Sequence, residues 1–243
     1  MGSDIRERLI VALDVPSVRE ADAIVEQLDG IVSVFKVGFG LLFAPGVETL
    51  IERLVRSKAV FLDCKMYDIG ETVRRGVARA RERGVRFLTV HAEEEILHAA
   101  VAGKGGSDFP KILAVTVLTS VDDAALRRMG YALTVHDLVQ RRVQSVVRSG
   151  CDGIIASARD RPDEIRKSAG APAFIIATPG IRPAGSAVND HKRAATPAEA
   201  ILNGADYLIV GRPIVAAADP AKAAASIIDE MRAAQARRDG SAP

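Results

Sequence analysis

Short runs of β-branched and aliphatic residues recur along the chain. Each is followed by a longer stretch whose apolar positions return every three to four residues. The short runs predict strands at Leu9–Asp14, Ser33–Gly38, Ala59–Lys65, Arg86–His91, Ile112–Val117, Gly153–Ser157, Ala173–Thr178 and Tyr207–Gly211. The longer stretches predict helices, among them Val18–Leu28, Val47–Ser57, Thr72–Arg83, Val135–Ser149 and Ala198–Asn203.

Local signals agree with this alternation. Ser17-Val18-Arg19-Glu20 and Thr196-Pro197-Ala198-Glu199 have the form of capping boxes, the second with proline at the first helical position. Three strands are entered through a shared pattern, Arg83-Gly84-Val85-Arg86, Ser149-Gly150-Cys151-Asp152 and Asn203-Gly204-Ala205-Asp206. Each glycine stands where a helix ends in a left-handed residue. No proline- or serine-rich linker divides the chain. An α/β fold is expected, a (β/α)8 TIM barrel in a single domain whose core runs from residue 9 to about 236 between short flexible ends. Alternation by itself leaves a doubly wound open sheet possible.

Composition adds mainly exclusions. The 243 residues are 48% hydrophobic and 26% charged with a formal net charge of +2, so nothing calls for nucleic acid or an anionic membrane as partner. No apolar run approaches the roughly 20 residues that span a bilayer. The start Met1-Gly2-Ser3-Asp4 lacks the form of a secretory signal. Cys64 and Cys151 are too few for a disulfide framework and too isolated for a zinc site, so a cytoplasmic location is expected.

In a parallel barrel, chemistry gathers where strands end at their carboxyl side. Here the first strand ends in Asp14, the second carries Lys36, and the third ends in Asp63 and Lys65 with Asp68 just beyond. Strand alternation puts Phe61, Asp63 and Lys65 on one side, which predicts three carboxylates and two ammonium groups in one concave place. Burying such charges costs several kcal/mol each unless they pair, and alternating signs keep every group ionised. Each residue alone has a plainer reading: Asp14 as a helix cap, Lys36 snorkelling from the rim, Asp63-x-Lys65-x-x-Asp68 as a structural ion-pair cluster. Packing does not account for five charges at three strand ends. After the seventh and eighth strands, Thr178-Pro179-Gly180-Ile181-Arg182 and Gly211-Arg212-Pro213 combine glycines with forked donors. Loops in those places commonly bind phosphate in this fold, although either motif alone is also an ordinary turn.

At this point the chain resembles the orotidine 5′-monophosphate decarboxylase family. The likeness runs from Leu9 to the C-terminal helix through Val11-Ala12-Leu13-Asp14, Phe35-Lys36-Val37-Gly38, Asp63-Cys64-Lys65-Met66-Tyr67-Asp68-Ile69-Gly70-Glu71-Thr72-Val73, Thr178-Pro179-Gly180-Ile181-Arg182-Pro183 and Val210-Gly211-Arg212-Pro213-Ile214. The resemblance implies decarboxylation of orotidine 5′-monophosphate to uridine 5′-monophosphate, the last step of de novo UMP synthesis, without cofactor or metal. Lys65 would deliver a proton to C6 of the pyrimidine, within a charged array of Lys36, Asp63, Lys65 and Asp68. Asp14 and Lys36 would bind ribose hydroxyls, and Thr119 the pyrimidine. Pro179, Gly180, Arg182, Gly211 and Arg212 would form the phosphate side. The resemblance also implies a homodimer in which Asp68, Ile69 and Thr72 serve the neighbouring subunit's site. Binding of the remote phosphate would help assemble the site through closure of the loop after the seventh strand.

Two segments depart from the family pattern. His191 stands where many members have a phosphate-binding glutamine, and it would either donate to phosphate or point to solvent. After the fourth strand, Glu93-Glu94-Glu95 replaces an expected glycine, and the run reads as support for the following helix through its dipole. The rival enzymes are metal-dependent sugar-phosphate decarboxylases and aldolases resembling 3-keto-L-gulonate 6-phosphate decarboxylase. These usually have an acidic metal ligand where this chain has Lys36. A catalytically silent phosphate-binding protein would keep Arg212 and the glycines but lose the Asp63/Lys65 pair.

Overall fold

The computed structural model describes residues 4–184 and 195–240. Eight parallel strands close into a barrel in sequence order, which removes the open-sheet alternative. They are β1 Leu9–Ala12, β2 Val34–Gly38, β3 Ala59–Met66, β4 Phe87–His91, β5 Lys111–Val115, β6 Gly153–Ile155, β7 Ile175–Thr178 and β8 Tyr207–Val210. Closure is made by β1 against β8, with Leu9, Ile10 and Val11 in register with Leu208, Ile209 and Val210.

The helices that wrap the barrel are α1 Val18–Gln27, α2 Phe39–Leu42, α3 Val47–Leu54, α4 Gly70–Glu82, α5 Glu94–Lys104, α6 Asp123–Arg128, α7 Val135–Ser149, α8 Pro162–Ala169, α9 Pro197–Leu202, α10 Arg212–Val215 and α11 Pro220–Arg238. Their termini follow the local chemistry. Thr196 and Glu199 form a full capping box at α9. At α1 the Ser17 hydroxyl accepts the Glu20 N–H, but the Glu20 carboxylate accepts from that hydroxyl rather than from the backbone. Glu94 and Glu95 occupy the first turn of α5. Glu93 precedes it, and its carboxylate pairs with Arg142 at 2.7 Å instead of capping the helix.

Strand alternation divides the apolar residues into two cores. A small one fills the barrel with Ile10, Ala12, Val34, Phe61, Phe87, Leu113, Ala177 and Ile209. Phe61 and Phe87 meet edge to face there, ring centres 5.9 Å apart. The larger core lies between the strands' outer faces and the helices. Each aliphatic side chain buried in it contributes about 1.5–3 kcal/mol.

The boundaries differ from expectation chiefly at the barrel mouth. β1 stops at Ala12, so Asp14 belongs to the loop, while β3 continues past Lys65 to Met66. Leu62 pairs with Leu88, and the next pairing is Met66 with Val90. Three residues of β3 therefore face Thr89 alone, a bulge in the middle of the expected site.

Candidate active site

The charged residues of three strand ends meet around one ammonium group. Lys36 Nζ lies 3.1 Å from Asp14 Oδ1 and 3.3 Å from Asp63 Oδ2. Lys65 Nζ lies 2.8 Å from the same Asp63 oxygen. The order Asp14, Lys36, Asp63, Lys65 thus alternates in sign. Lys36 is buried (6% exposed), so it points into the barrel and does not snorkel. Asp14 caps no helix, because Ser17 performs that role for α1.

Elements and side chains cooperate to hold this line of charge. Lys36 comes from the inward face of β2, in register with Phe61 of β3. Gly38 makes room for it, since a Cβ there would stand 3.0 Å from Lys36 Nζ. Lys65 takes a left-handed backbone conformation (φ 41°), which is uncommon for a residue with a side chain. Its ammonium also lies 5.8 Å from the Phe39 ring centre. Burial pushes the Asp63 carboxyl upward, but Lys36, Lys65 and Thr89 together hold it below its ordinary value. Burial, reinforced by Asp63, pushes the neighbouring Cys64 thiol up to about 11, so it stays protonated and is no nucleophile near neutral pH.

These groups line a cavity of about 460 Å³ at the barrel mouth. Asp14, Lys36, Asp63, Lys65, Thr119, Pro179, Gly180, Arg182, Gly211 and Arg212 all border it. The volume suits a nucleotide-sized ligand. Gly180 has a left-handed backbone (φ 77°), which lets the chain turn into the cavity wall after β7. Arg182 is buried and donates to its own neighbour's carbonyl, that of Ile181, at 2.7 Å.

Three expected residues do not join the cavity within this chain. Asp68, Ile69 and Thr72 are exposed outside it, and Asp68 Oδ1 accepts the Ile69 N–H at 2.7 Å. The cluster formed by one chain therefore contains two of the three expected carboxylates, because the chain turns outward after Met66. His191 lies outside the described residues. Residues not anticipated from sequence include Thr89, whose hydroxyl donates to Asp63 Oδ1 at 2.9 Å, and Ser157, which borders the cavity. Thr89 was legible in principle, since alternation along β4 places it inward between Phe87 and His91. Ser157 gives a weaker signal, because its hydroxyl also accepts the Arg159 N–H in a local cap.

The model of the orotidine 5′-phosphate decarboxylase / HUMPS family matches residues 7–227. An orotidine 5′-phosphate decarboxylase of Caulobacter vibrioides is 49% identical over 226 residues, covering 92% of this chain and 97% of that protein. One from Afipia carboxidovorans is 49% identical over 229 residues, covering 94% and 96%. The crystal structure of orotidine 5′-phosphate decarboxylase from Lactobacillus acidophilus superimposes with a TM-score of 0.80 at 33% identity, covering 93% of this chain and 99% of that one. By its residues, its barrel and these relatives, the chain belongs to the orotidine 5′-phosphate decarboxylase / HUMPS family.

Proposed function

We propose that the protein decarboxylates orotidine 5′-monophosphate to uridine 5′-monophosphate, as one barrel domain and without a metal or organic cofactor. The observation that carries this reading is the position of Lys36 Nζ between the carboxylates of Asp14 and Asp63, at 3.1 and 3.3 Å. In the sugar-phosphate branch of the family an acidic metal ligand usually stands at the position of Lys36. Here a fixed ammonium occupies that position, between two carboxylates.

In this mechanism the bond between C6 and the carboxylate breaks, carbon dioxide leaves, and the electron pair stays on C6. The Lys65 ammonium stabilises the developing carbanion and transfers its proton to C6. It is already oriented by Asp63, so little reorganisation accompanies the reaction. Asp14 and Lys36 hold ribose hydroxyls, and Thr119 contacts the pyrimidine. Arg212, Arg182 and the backbone at Pro179, Gly180 and Gly211 receive the phosphate.

The active form is a homodimer in which Asp68, Ile69 and Thr72 complete the neighbouring subunit's site. Support comes from their exclusion from their own cavity and from an apolar surface around the mouth. Phe43, Tyr67, Ile69 and Met129 are each more than 60% exposed. Phe43 follows β2, Tyr67 and Ile69 follow β3, and Met129 follows β5, and exposed apolar side chains of this size at one end of a barrel mark a contact surface. A reducing cytoplasmic location fits two unpaired cysteines, Cys64 and Cys151.

Loss of the ultraviolet absorbance of orotidine 5′-monophosphate, with purified protein and a chelator, tests the activity. Turnover of a sugar phosphate only with added magnesium, and none of the nucleotide, would overturn it. Mixing inactive Lys65→Ala and Asp68→Ala proteins tests the shared site, because hybrid dimers regain one intact centre. Continued inactivity of the mixture, with subunit exchange verified, refutes the sharing.

A further inference from the structure

We infer that Thr89 is a positioning residue for the reaction, a single hydroxyl that holds the catalytic lysine's backbone and its carboxylate partner in one geometry. The inference rests on the decarboxylase reading above. It begins with the register of β3 and β4. Leu62 is opposite Leu88 and Met66 opposite Val90, so Asp63, Cys64 and Lys65 face one residue, Thr89. A bulge of this kind deprives part of the strand of its ladder partners.

The Thr89 side chain replaces what the ladder lost. Its oxygen accepts the backbone N–H of Lys65 at 2.9 Å and donates its proton to Asp63 Oδ1 at 2.9 Å. Both hydrogen-bonding directions of one hydroxyl are used, and each goes to a residue of the charged line. Thr89 is fully buried and does not border the cavity, so it acts through Asp63 and Lys65 rather than on substrate.

The two contacts have complementary effects. Lys65 sits at φ 41°, a conformation that persists only when its surroundings enforce it. The bond to its N–H supplies that enforcement at the residue itself. The bond to Asp63 Oδ1 turns the carboxylate so that Oδ2 faces both ammonium groups, 2.8 Å from Lys65 and 3.3 Å from Lys36. Without the hydroxyl, a partly buried N–H and a carboxylate oxygen lose their partner together, and both ends of the Asp63–Lys65 pair are released. The methyl group of threonine fills space that serine would leave empty, but only the hydroxyl orients the pair.

The test compares Thr89→Val and Thr89→Ser with wild type on orotidine 5′-monophosphate, with thermal midpoints measured in parallel. Valine preserves shape and removes the hydroxyl, so kcat should fall about 10- to 100-fold while KM changes less than about threefold. Serine should recover most of kcat even with a lower midpoint. If Thr89→Val does not fold, Thr89→Ala and Thr89→Ser, both smaller than threonine, carry the same comparison. Wild-type kcat in the valine or alanine protein, or a serine protein as impaired as either, would overturn the inference. An effect on KM alone would also overturn it. Absence of turnover by wild type would instead reject the decarboxylase reading, which keeps the two failures apart.

Discussion

Both ends of the barrel carry charge largely withdrawn from solvent, but the two ends are built differently. At the floor, where strands begin, each carboxylate is anchored to backbone as well as to cations. Asp152 accepts the Ile112 N–H at 2.8 Å, and Lys104 and Lys111 lie at 2.8 and 3.3 Å from its two oxygens. Asp206 accepts the Ile176 N–H at 2.8 Å and pairs with Arg166 at 2.6 Å. Arg166 also donates to the carbonyls of Phe174 and Gly204, and Arg8 to those of Ala205 and Asp206. At the mouth, the ammonium groups of Lys36 and Lys65 have carboxylates as their only hydrogen-bonding or ionic partners among the described residues, and both residues border a cavity. The floor uses ionic groups to close gaps between consecutive βα units. The mouth leaves a charged array with capacity to interact with something else.

The largest effect that separates the ends is expected at Lys65. Lys65→Ala should lower kcat/KM by about 10⁴-fold or more, because the proposed mechanism asks this one group for both charge stabilisation and the proton. Its thermal midpoint should stay within a few degrees of wild type, since Asp63 keeps Lys36. Activity within tenfold of wild type, in the absorbance assay, would break the distinction at its centre.

Asp152→Ala probes the opposite end. Two lysines and a backbone N–H lose their partner, and stability should fall by about 2–4 kcal/mol. Urea unfolding would register this as a lower midpoint, while kcat at 25 °C stays within about twofold. A folded Asp152→Ala protein with greatly reduced kcat would show that the floor is not merely structural.

Arg212→Ala is a smaller change within the mouth. With Arg212 in its proposed role as a forked donor to phosphate, its loss should raise KM for the nucleotide about 10- to 100-fold. Any slow reaction of the nucleoside, which lacks the phosphate, should be unaffected. An equal loss for both substrates would move Arg212 out of the phosphate role.

The smallest effect concerns acid. Asp63 is held below its ordinary value of 3.8, so the unfolded chain takes up its proton first as pH falls. The stability contributed by its ionisation is complete well above that value and is lost as pH falls through the lower folded value. Unfolding midpoints of wild type and Asp63→Asn should therefore differ by a constant amount from pH 8 to about pH 5 and converge only in stronger acid. A difference that already changes between pH 7 and 5 would mean that Asp63 titrates near neutrality.

The repeated helix–glycine–strand pattern bears on the same contrast. Asp152 and Asp206 stand at equivalent places in the repeat, and each accepts an N–H from the preceding strand. The repetition was visible in the chain, but the cationic partners were not. Lys104 lies 48 residues from Asp152, and Arg166 lies 40 from Asp206. At the mouth, Asp14, Lys36, Asp63 and Lys65 were legible as polar endings of apolar runs. The outward direction of Asp68 was implied only by the family resemblance, because nothing in the run from Asp63 to Asp68 itself specifies where the chain turns after Met66. Alternation along β4 made Thr89 legible as an inward position, but its two hydrogen bonds arise from the register change on the neighbouring strand.

What the amino-acid order determined by itself was the alternation of strand and helix, the helix caps, and which strand ends carry charge. These follow from side-chain periodicity and hydrogen bonds made within a few residues. Tertiary structure alone decided that the sheet closes, through Leu9–Val11 pairing with Leu208–Val210. It also decided that β3 bulges opposite Thr89, and that Lys36 enters between two carboxylates. Closure and register depend on the relative placement of whole strands. Local alternation marks which side chains face inward, but which residues of two strands stand opposite one another is settled only when whole strands pair.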